Sequence, residues 1–183
     1  EECDVLQDLI HDLLESSIID AGFLKLDPQP VLLNRLAKDV VEEFMRLNPR
    51  HRFLVDFPPV FPIVDADPMR ITQVLRNLLD NSVKYSPEES LVVVRGDFTD
   101  AEVTISVADQ GEGIAPEHLN HLFDKFFRIK SGLGRHVVGT GLGLPIARTI
   151  VESHGGRIWA ESRVGEGTTL SFTILRRSTQ DAS

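Results

Sequence analysis

Three groups of residues have the types and spacing for chemistry. In "ITQVLRNLLDNSVKY" (71–85), Asn77, Asn81 and Lys84 recur at i, i+4 and i+7 beside an apolar stripe of Ile71, Val74, Leu75, Leu78 and Leu79. Asparagine is a mediocre helix former because its amide competes for backbone hydrogen bonds, so two of them one turn apart need a reason. They fit either a solvated polar flank or an edge for a divalent cation and phosphate, since amide oxygens can ligate Mg²⁺ while phosphates complete its shell. In "VTISVADQGEGIAP" (103–116), Asp109 keeps the parity of Val103, Ile105 and Val107, so its carboxylate points where a core residue belongs. A lone charge there is costly and requires a donor. The exocyclic amino group of a bound base is one candidate; a plain aspartate turn after a strand is the other. Gly111 and Gly113 then permit close backbone approach.

The third group is "VVGTGLGLPIARTI" (137–150), with Gly139, Gly141 and Gly143 directly before an apolar helical pattern. A helix N-terminus exposes unpaired N–H groups and a partial positive charge, a ready anion site that glycines leave uncovered. Pro145 is tolerated in the first turn. No Lys-Ser or Lys-Thr pair follows the last glycine, so this is not the Walker A pattern. Two further features are open to either reading. Thr168 shares parity with Leu170, Phe172 and Ile174, so its hydroxyl can reach the Asp109 cavity or simply belong to a strand. Arg128, Lys130, Arg135 and His136, set among Gly132 and Gly134, form either a basic lid hinged at a phosphate site or an ordinary loop.

These groups need elements to position them. The spacing predicts helices at 2–20, 32–47, 68–85 and 142–153, with Asp67 and Pro68 as N-cap and first-turn proline of the third. Strands are expected at 51–57, 90–98, 101–109, 157–163 and 168–175, the last two joined by a "VGEG" turn. Mixed α and β with antiparallel hairpins implies an α/β (α+β) two-layer sandwich: a mixed, largely antiparallel sheet of about five strands on three helices, plus an N-terminal helix. In that first helix Val5, Leu6, Leu9, Ile10, Leu13, Leu14 and Ile18 form a heptad-like stripe that needs a partner. "DAGFLKLDPQP" (20–30) ends it and marks a boundary.

Composition narrows the function classes. The chain has 183 residues, 42% hydrophobic and 26% charged, as in ordinary globular domains. A net charge of −9 argues against a nucleic-acid surface, which needs clustered Lys and Arg. The single cysteine, Cys3, excludes an internal disulfide and fits a reducing compartment. No run of about 18 apolar residues and no signal peptide occurs, so the expected setting is cytoplasmic, with any membrane anchor elsewhere in a parent protein.

In this order, "NLLDNSVKY", "DQGEG", "LFDKFFR", "GTGLGL" and "GEGTTLSF" resemble the N, G1, F, G2 and final boxes of the bacterial sensor histidine kinase ATP-binding domain. That domain belongs to the GHKL group, with gyrase, MutL and the heat-shock chaperone ATPases. The match covers roughly residues 30–176. Residues 5–30 resemble the end of the second helix of the dimerising, phosphoacceptor hairpin and its linker. The implied domains are 1–27 (hairpin remnant), 28–177 (catalytic, ATP-binding) and 178–183 (tail). The resemblance implies that Asn81 ligates Mg²⁺ on the ATP phosphates, with Asn77 polarising the site and Lys84 touching phosphate. Tyr85 lies against the nucleotide. Asp109 accepts from the adenine amino group, and Gly113 and Thr168 complete that pocket. Gly139, Gly141 and Gly143 cradle the phosphates, and Arg128 and Arg135 reach them from the lid. The same boxes bring Gly111, Ile114, Phe126, Thr140, Leu142 and Leu144 to the nucleotide.

The family moves the γ-phosphoryl to a hairpin histidine and then to a response-regulator aspartate, by positioning and charge neutralisation. Its members are homodimers through the hairpin; a piece with half a hairpin is expected to be monomeric. Two departures stand out. Ser82 replaces the usual alanine, a change expected to be harmless. His11 precedes "DLLESS" rather than the acceptor motif, so this piece should not phosphorylate itself. The competing readings are a non-catalytic nucleotide sensor and an anti-sigma-type serine kinase; the retained asparagine pair argues against the first, the hairpin-like helix against the second.

Overall fold

The computed structural model describes residues 10, 12–19, 21–129 and 139–176. In chain order these form α1 (12–19), β1 (Gln29–Leu32), α2 (Leu33–Leu47), β2 (Arg52–Asp56), β3 (Ile63–Ala66), α3 (Pro68–Tyr85), β4 (Leu91–Phe98), β5 (Glu102–Ala108), α4 (Pro116–Leu119), α5 (Gly143–Ser153), β6 (Ile158–Arg163) and β7 (Gly167–Leu175). The main sheet has the order β2-β4-β5-β7-β6. Only β2 and β4 run parallel; the other three pairings are antiparallel. The expected five strands and three principal helices are therefore present, in the expected order.

Period-two alternation puts Val92 and Val94, Val103, Ile105 and Val107, and Leu170, Phe172 and Ile174 on one face, each at most 3% exposed. Against them lie Ile71, Val74, Leu75, Leu78 and Leu79 of α3 and Ile146, Ala147, Ile150 and Val151 of α5, with α2 completing the core. Two helices packed side by side on this face leave the sheet's Asp109 end open between them, which is where a ligand can enter.

Two features depart from the sequence reading. It has a linker over 20–30 and no strand at 63–66, whereas β1 and β3 pair as a second, antiparallel sheet with Gln29 opposite Ala66 and Leu32 opposite Ile63. Each strand is only four residues long and β1 contains Pro30, so neither carries an alternating pattern of its own. The glycine-rich section from 110 also contains the one-turn helix α4, started by Pro116.

Asp67 sets where α3 begins. Its Oδ1 accepts from the N–H groups of Met69 (3.0 Å) and Arg70 (3.1 Å), and its Oδ2 accepts from the N–H of Asp27 (3.0 Å). Its own N–H donates to His154 Nε2 at 3.0 Å, which fixes the ring proton on Nδ1, donating to Ile150 O at 2.8 Å. One residue thus joins the approach to β1, the N-terminus of α3 and the C-terminus of α5. Burial alone would raise its carboxyl pKa, but the N–H groups of Asp27, Arg70 and Met69, aided by the Arg70 charge, outweigh it and hold the pKa below the usual value. A carboxylate depressed in the folded state contributes stability above its unfolded pKa and loses it as pH falls through the folded value. Asp67→Ala is accordingly expected to cost about 1–2 kcal/mol at pH 7. The gap to the unaltered protein should close as the solution is acidified below the ordinary carboxylate range, as urea titrations at neutral and acid pH would show.

Candidate functional site

A cavity of about 1110 Å³ opens between α3, the loop after β5, the start of β7 and the glycine segment before α5. On α3, Asn77 Nδ2 donates to Gly143 O (2.8 Å) and Asn81 Nδ2 donates to Asn77 O (2.7 Å). Each carbonyl acceptor fixes which end of its amide is nitrogen, so both Oδ1 atoms remain as acceptors on the cavity side of the helix. Lys84, half exposed, pairs with Asp80 at 2.5 Å, one turn back. Tyr85 lies at the rim, 36% exposed.

Asp109 sits where the β5–β7 ladder runs out. Its N–H donates to Thr168 O (2.9 Å), while its Oδ1 receives the N–H groups of Thr168 (3.1 Å) and Gly111 (2.8 Å). The carboxylate thus takes over two backbone donors at the sheet's end. Burial pushes its pKa above the ordinary value; the N–H groups of Gly111 and Thr168, and the nearby Ser82 hydroxyl, act in the opposite sense. A half-buried carboxylate held at a cavity wall by two N–H groups on one oxygen has the other free to accept from a ligand's amino group.

Several glycines here exist for the protein's own backbone as much as for a ligand. A Cβ on Gly111 would lie 2.5 Å from Tyr85 O, and one on Gly113, where φ is +71°, would lie 1.9 Å from Arg163 O. Gly141, at φ +70°, lies under Phe126, whose N–H donates to Gly141 O (3.0 Å). Gly143 packs on the Asn77 amide, and of the three glycines before α5 only Gly139 has open space around it. Thr140 Oγ1 accepts from Leu142 N–H (3.0 Å), taking up a donor at the start of α5.

The cavity brings together Asn77, Asn81, Lys84, Tyr85, Asp109, Gly111, Gly113, Ile114, Arg128, Gly139, Thr140, Gly141, Gly143, Leu144 and Thr168. It does not take in two other candidates. Leu142 is 1% exposed and belongs to the core, and Phe126 is 62% exposed with φ +63°, supporting Gly141 from outside the cavity. Arg135, Lys130, His136, His11 and Cys3 lie outside the described residues.

Sequence reasoning missed four contributors. Ser162 accepts the N–H of Ile114 (2.8 Å), donates to Gly167 O (2.8 Å) and meets Thr168 Oγ1 (2.8 Å), tying the loop after β5 to the β6–β7 hairpin. Gly167, at φ +104°, would place a Cβ 2.1 Å from Asp109 O. From α1, Asp12 accepts from Thr140 Oγ1 (2.7 Å), and the buried Glu15 bonds Arg70 and Gln73. The face of α1 carrying Leu13, Leu14 and Ile18 stays open to solvent, each 48–61% exposed. A signal for Asp12 and Glu15 was present, since both lie on the side of the helix away from that stripe.

The donors fit a divalent cation held jointly with phosphate. Among the described residues no cluster of three His, Cys, Asp or Glu could hold a metal unaided. Two amide oxygens instead face a cavity lined by six carboxylates and four cationic side chains, an imbalance that disfavours a bare polyanion and favours one arriving with its cation.

Residues 66–178 match the family described as histidine kinase-, DNA gyrase B-, and HSP90-like ATPase. The sensor histidine kinase WalK of Bacillus subtilis is 36% identical over 176 residues, which cover 94% of this chain and 29% of WalK; the chain matches only a piece of that relative. The catalytic domain of histidine kinase ThkA superposes with a TM-score of 0.69 at 31% identity, over 84% of this chain and 99% of that domain. ThkA crystallised with the response regulator TrrA superposes at 0.75 with 28% identity, over 96% of this chain and 48% of that one. Full-length ShkA in complex with AMPPNP superposes at 0.81 with 27% identity, over 94% and 36%. The chain belongs to the histidine kinase-, DNA gyrase B- and HSP90-like ATPase family, and within it to the ATP-binding catalytic modules of sensor histidine kinases.

Proposed function

We propose that this module binds Mg²⁺-ATP in the described cavity and transfers the γ-phosphoryl to a histidine on a dimerisation hairpin, from which it passes to a response-regulator aspartate. The observation that carries the reading is the pairing of two free amide oxygens on α3 with a half-buried carboxylate across the same cavity. The Asp109 oxygen left free by Gly111 and Thr168 accepts from the adenine amino group, with Gly113 and Thr168 beside the base and Tyr85 at its edge. The Asn81 Oδ1, assisted by Asn77, ligates the cation, whose charge neutralises the phosphate oxygens. Lys84 exchanges Asp80 for phosphate at little cost, because an exposed ion pair contributes about 0–1 kcal/mol. Gly139, Gly141 and Gly143, with Thr140 and Leu144, shape the wall for the phosphates, and Arg128 approaches from the far side. An imidazole nitrogen then attacks the γ-phosphorus as the bond to the bridging oxygen breaks and ADP leaves. The residues here hold the reactants in line and balance charge.

The ThkA–TrrA complex supports a receiver domain as the downstream partner, and the open apolar face of α1 supports a helical partner in a homodimeric parent. Among the described residues no helix is long and apolar enough to cross a membrane, and we assign the module's work to the cytoplasm.

Asn81→Ala is expected to weaken Mg²⁺-ATP binding at least about 30-fold, more than 2 kcal/mol, by calorimetric titration. EDTA should bring the unaltered protein down to the same level. Equal affinities would refute the metal role. Supplying the hairpin in trans with radiolabelled ATP should give acid-labile, base-stable phosphate on it; an acid-stable product would point to a hydroxyl acceptor instead.

A further inference from the structure

Three partners converge on the Ser162 hydroxyl, each at 2.8 Å: the Ile114 N–H, the Gly167 carbonyl and the Thr168 hydroxyl. Ser162 stands directly opposite Thr168 in the β6–β7 register, so the two side chains share one face of the sheet. A hydroxyl has one proton to give and two lone pairs to receive. The Ile114 N–H can only donate, so it fills one lone pair. The Gly167 carbonyl can only accept, so it takes the proton. The second lone pair is all that Ser162 has left for Thr168, and the proton between the two hydroxyls must therefore come from Thr168. Ser162 itself does not line the cavity, whereas Thr168 does.

With its proton committed to β6, Thr168 Oγ1 meets a ligand with lone pairs alone. Asp109 beside it has the same character, since an ionised carboxylate only accepts and its Oδ1 is already filled by Gly111 and Thr168 N–H. The bond from Thr168 N–H to Asp109 holds these two acceptors together on one wall of the cavity. We propose that Ser162 is a positioning residue that sets base specificity: by taking up the Thr168 proton it makes Thr168 an acceptor, and the Thr168–Asp109 pair then selects a base edge that presents N–H groups over one that presents a carbonyl. This rests on the reading that the same wall receives the base of the nucleotide. A 6-amino purine offers two N–H groups on one nitrogen, whereas a 6-oxo purine puts lone pairs in their place. An acceptor facing an acceptor is left unpaired and repelled. A Thr168 proton free to turn could donate to that carbonyl, and the wall would discriminate less. A purely mechanical role for Ser162, fastening the loop after β5 to the hairpin, would instead weaken every nucleotide alike.

The test compares Mg²⁺-ATP with Mg²⁺-ITP, which differ only at this edge of the base, by calorimetric titration of the unaltered protein, Ser162→Ala, Thr168→Val and the double variant. The preference for ATP over ITP should fall about tenfold in Ser162→Ala, the effect of about one neutral hydrogen bond. With Thr168→Val already in place, Ser162→Ala should change the preference by less than about twofold. Equal weakening of ATP and ITP by Ser162→Ala overturns the proposal, and so does an undiminished effect in the Thr168→Val background. A second measurement needs neither variant nor nucleotide. In NMR spectra of the unaltered protein the Thr168 hydroxyl proton should exchange slowly and show a nuclear Overhauser effect to the Ser162 β-protons. A proton carried by Ser162 and directed at Thr168 overturns the proposal whether or not Ser162→Ala folds. Should the unaltered protein bind neither nucleotide, the function proposed above fails, while the hydroxyl proton still decides which residue donates.

Discussion

Asp109→Asn should weaken Mg²⁺-ATP binding about 100-fold or more while leaving the fold intact. The substitution keeps shape and keeps one carbonyl oxygen, which the N–H groups of Gly111 and Thr168 will hold as they now hold Oδ1. The amide nitrogen is thereby forced to the other position, where it presents N–H to the amino group of the base. A charge-assisted bond is lost, at about 1.5–3 kcal/mol, and a buried donor faces a donor, at about 1–3 kcal/mol more. Together these come to about 2.5–6 kcal/mol, against the 2.7 kcal/mol or so that separates two decades of affinity. Stability should hold or rise, because the folded state no longer buries a carboxylate whose pKa burial raises. Calorimetric titration and thermal melts on the same sample separate the two effects; binding within threefold of the unaltered protein would remove Asp109 from the base pocket.

The second large effect concerns stability. Gly113→Ala places a Cβ 1.9 Å from Arg163 O and 2.6 Å from its carbon, at φ +71°. Both obstacles are backbone, so no side chain can swing aside. The hairpin they belong to is tied down by Gly165 N–H donating to Glu112 O (2.7 Å) and by Ser162. Overpacking costs about 1–3 kcal/mol and the left-handed backbone about 1–2 kcal/mol more. A total of about 3–4 kcal/mol is a large share of a typical domain's 5–15 kcal/mol and should lower Tm by roughly 10 °C. Two other glycines grade the effect. Gly165→Ala, at φ +83° with nothing within 4 Å, should show only the backbone part, and Gly139→Ala, with open space and no such φ, should be near neutral. If all three melt alike, close approach is not why Gly113 is glycine.

Much of this site was legible in advance because its parts follow the periods of regular structure. Parity pointed Asp109 and Thr168 towards one cavity, each being the next inward position on strands β5 and β7, while their roles came from the resemblance. Asn77, Asn81 and Lys84 were found by the helical period, and the start of α3 by its Asp-Pro cap. What escaped depends on where the chain returns in space. Nothing local in β1 and β3 says that they pair across more than thirty residues, and Ser162 matters only because the β6–β7 hairpin folds beneath the loop after β5. The glycine segment was correctly read as a place of close approach, but Gly141 and Gly143 meet Phe126 and Asn77 of the same chain.

The two sides of α1 are committed to different tasks: Asp12 grips Thr140 and Glu15 grips Arg70, while Leu13, Leu14 and Ile18 stay bare. Whatever covers the bare side therefore also sets the roll of the rod about its long axis. Side-chain tips lie about 5–6 Å from a helix axis, so a twist of 30° sweeps them through roughly 3 Å. That is ample to unhook the threonine, since a hydrogen bond tolerates only a few tenths of an ångström. Torque delivered far from the catalytic pocket would thus arrive at its glycine rim as the making or breaking of a single contact.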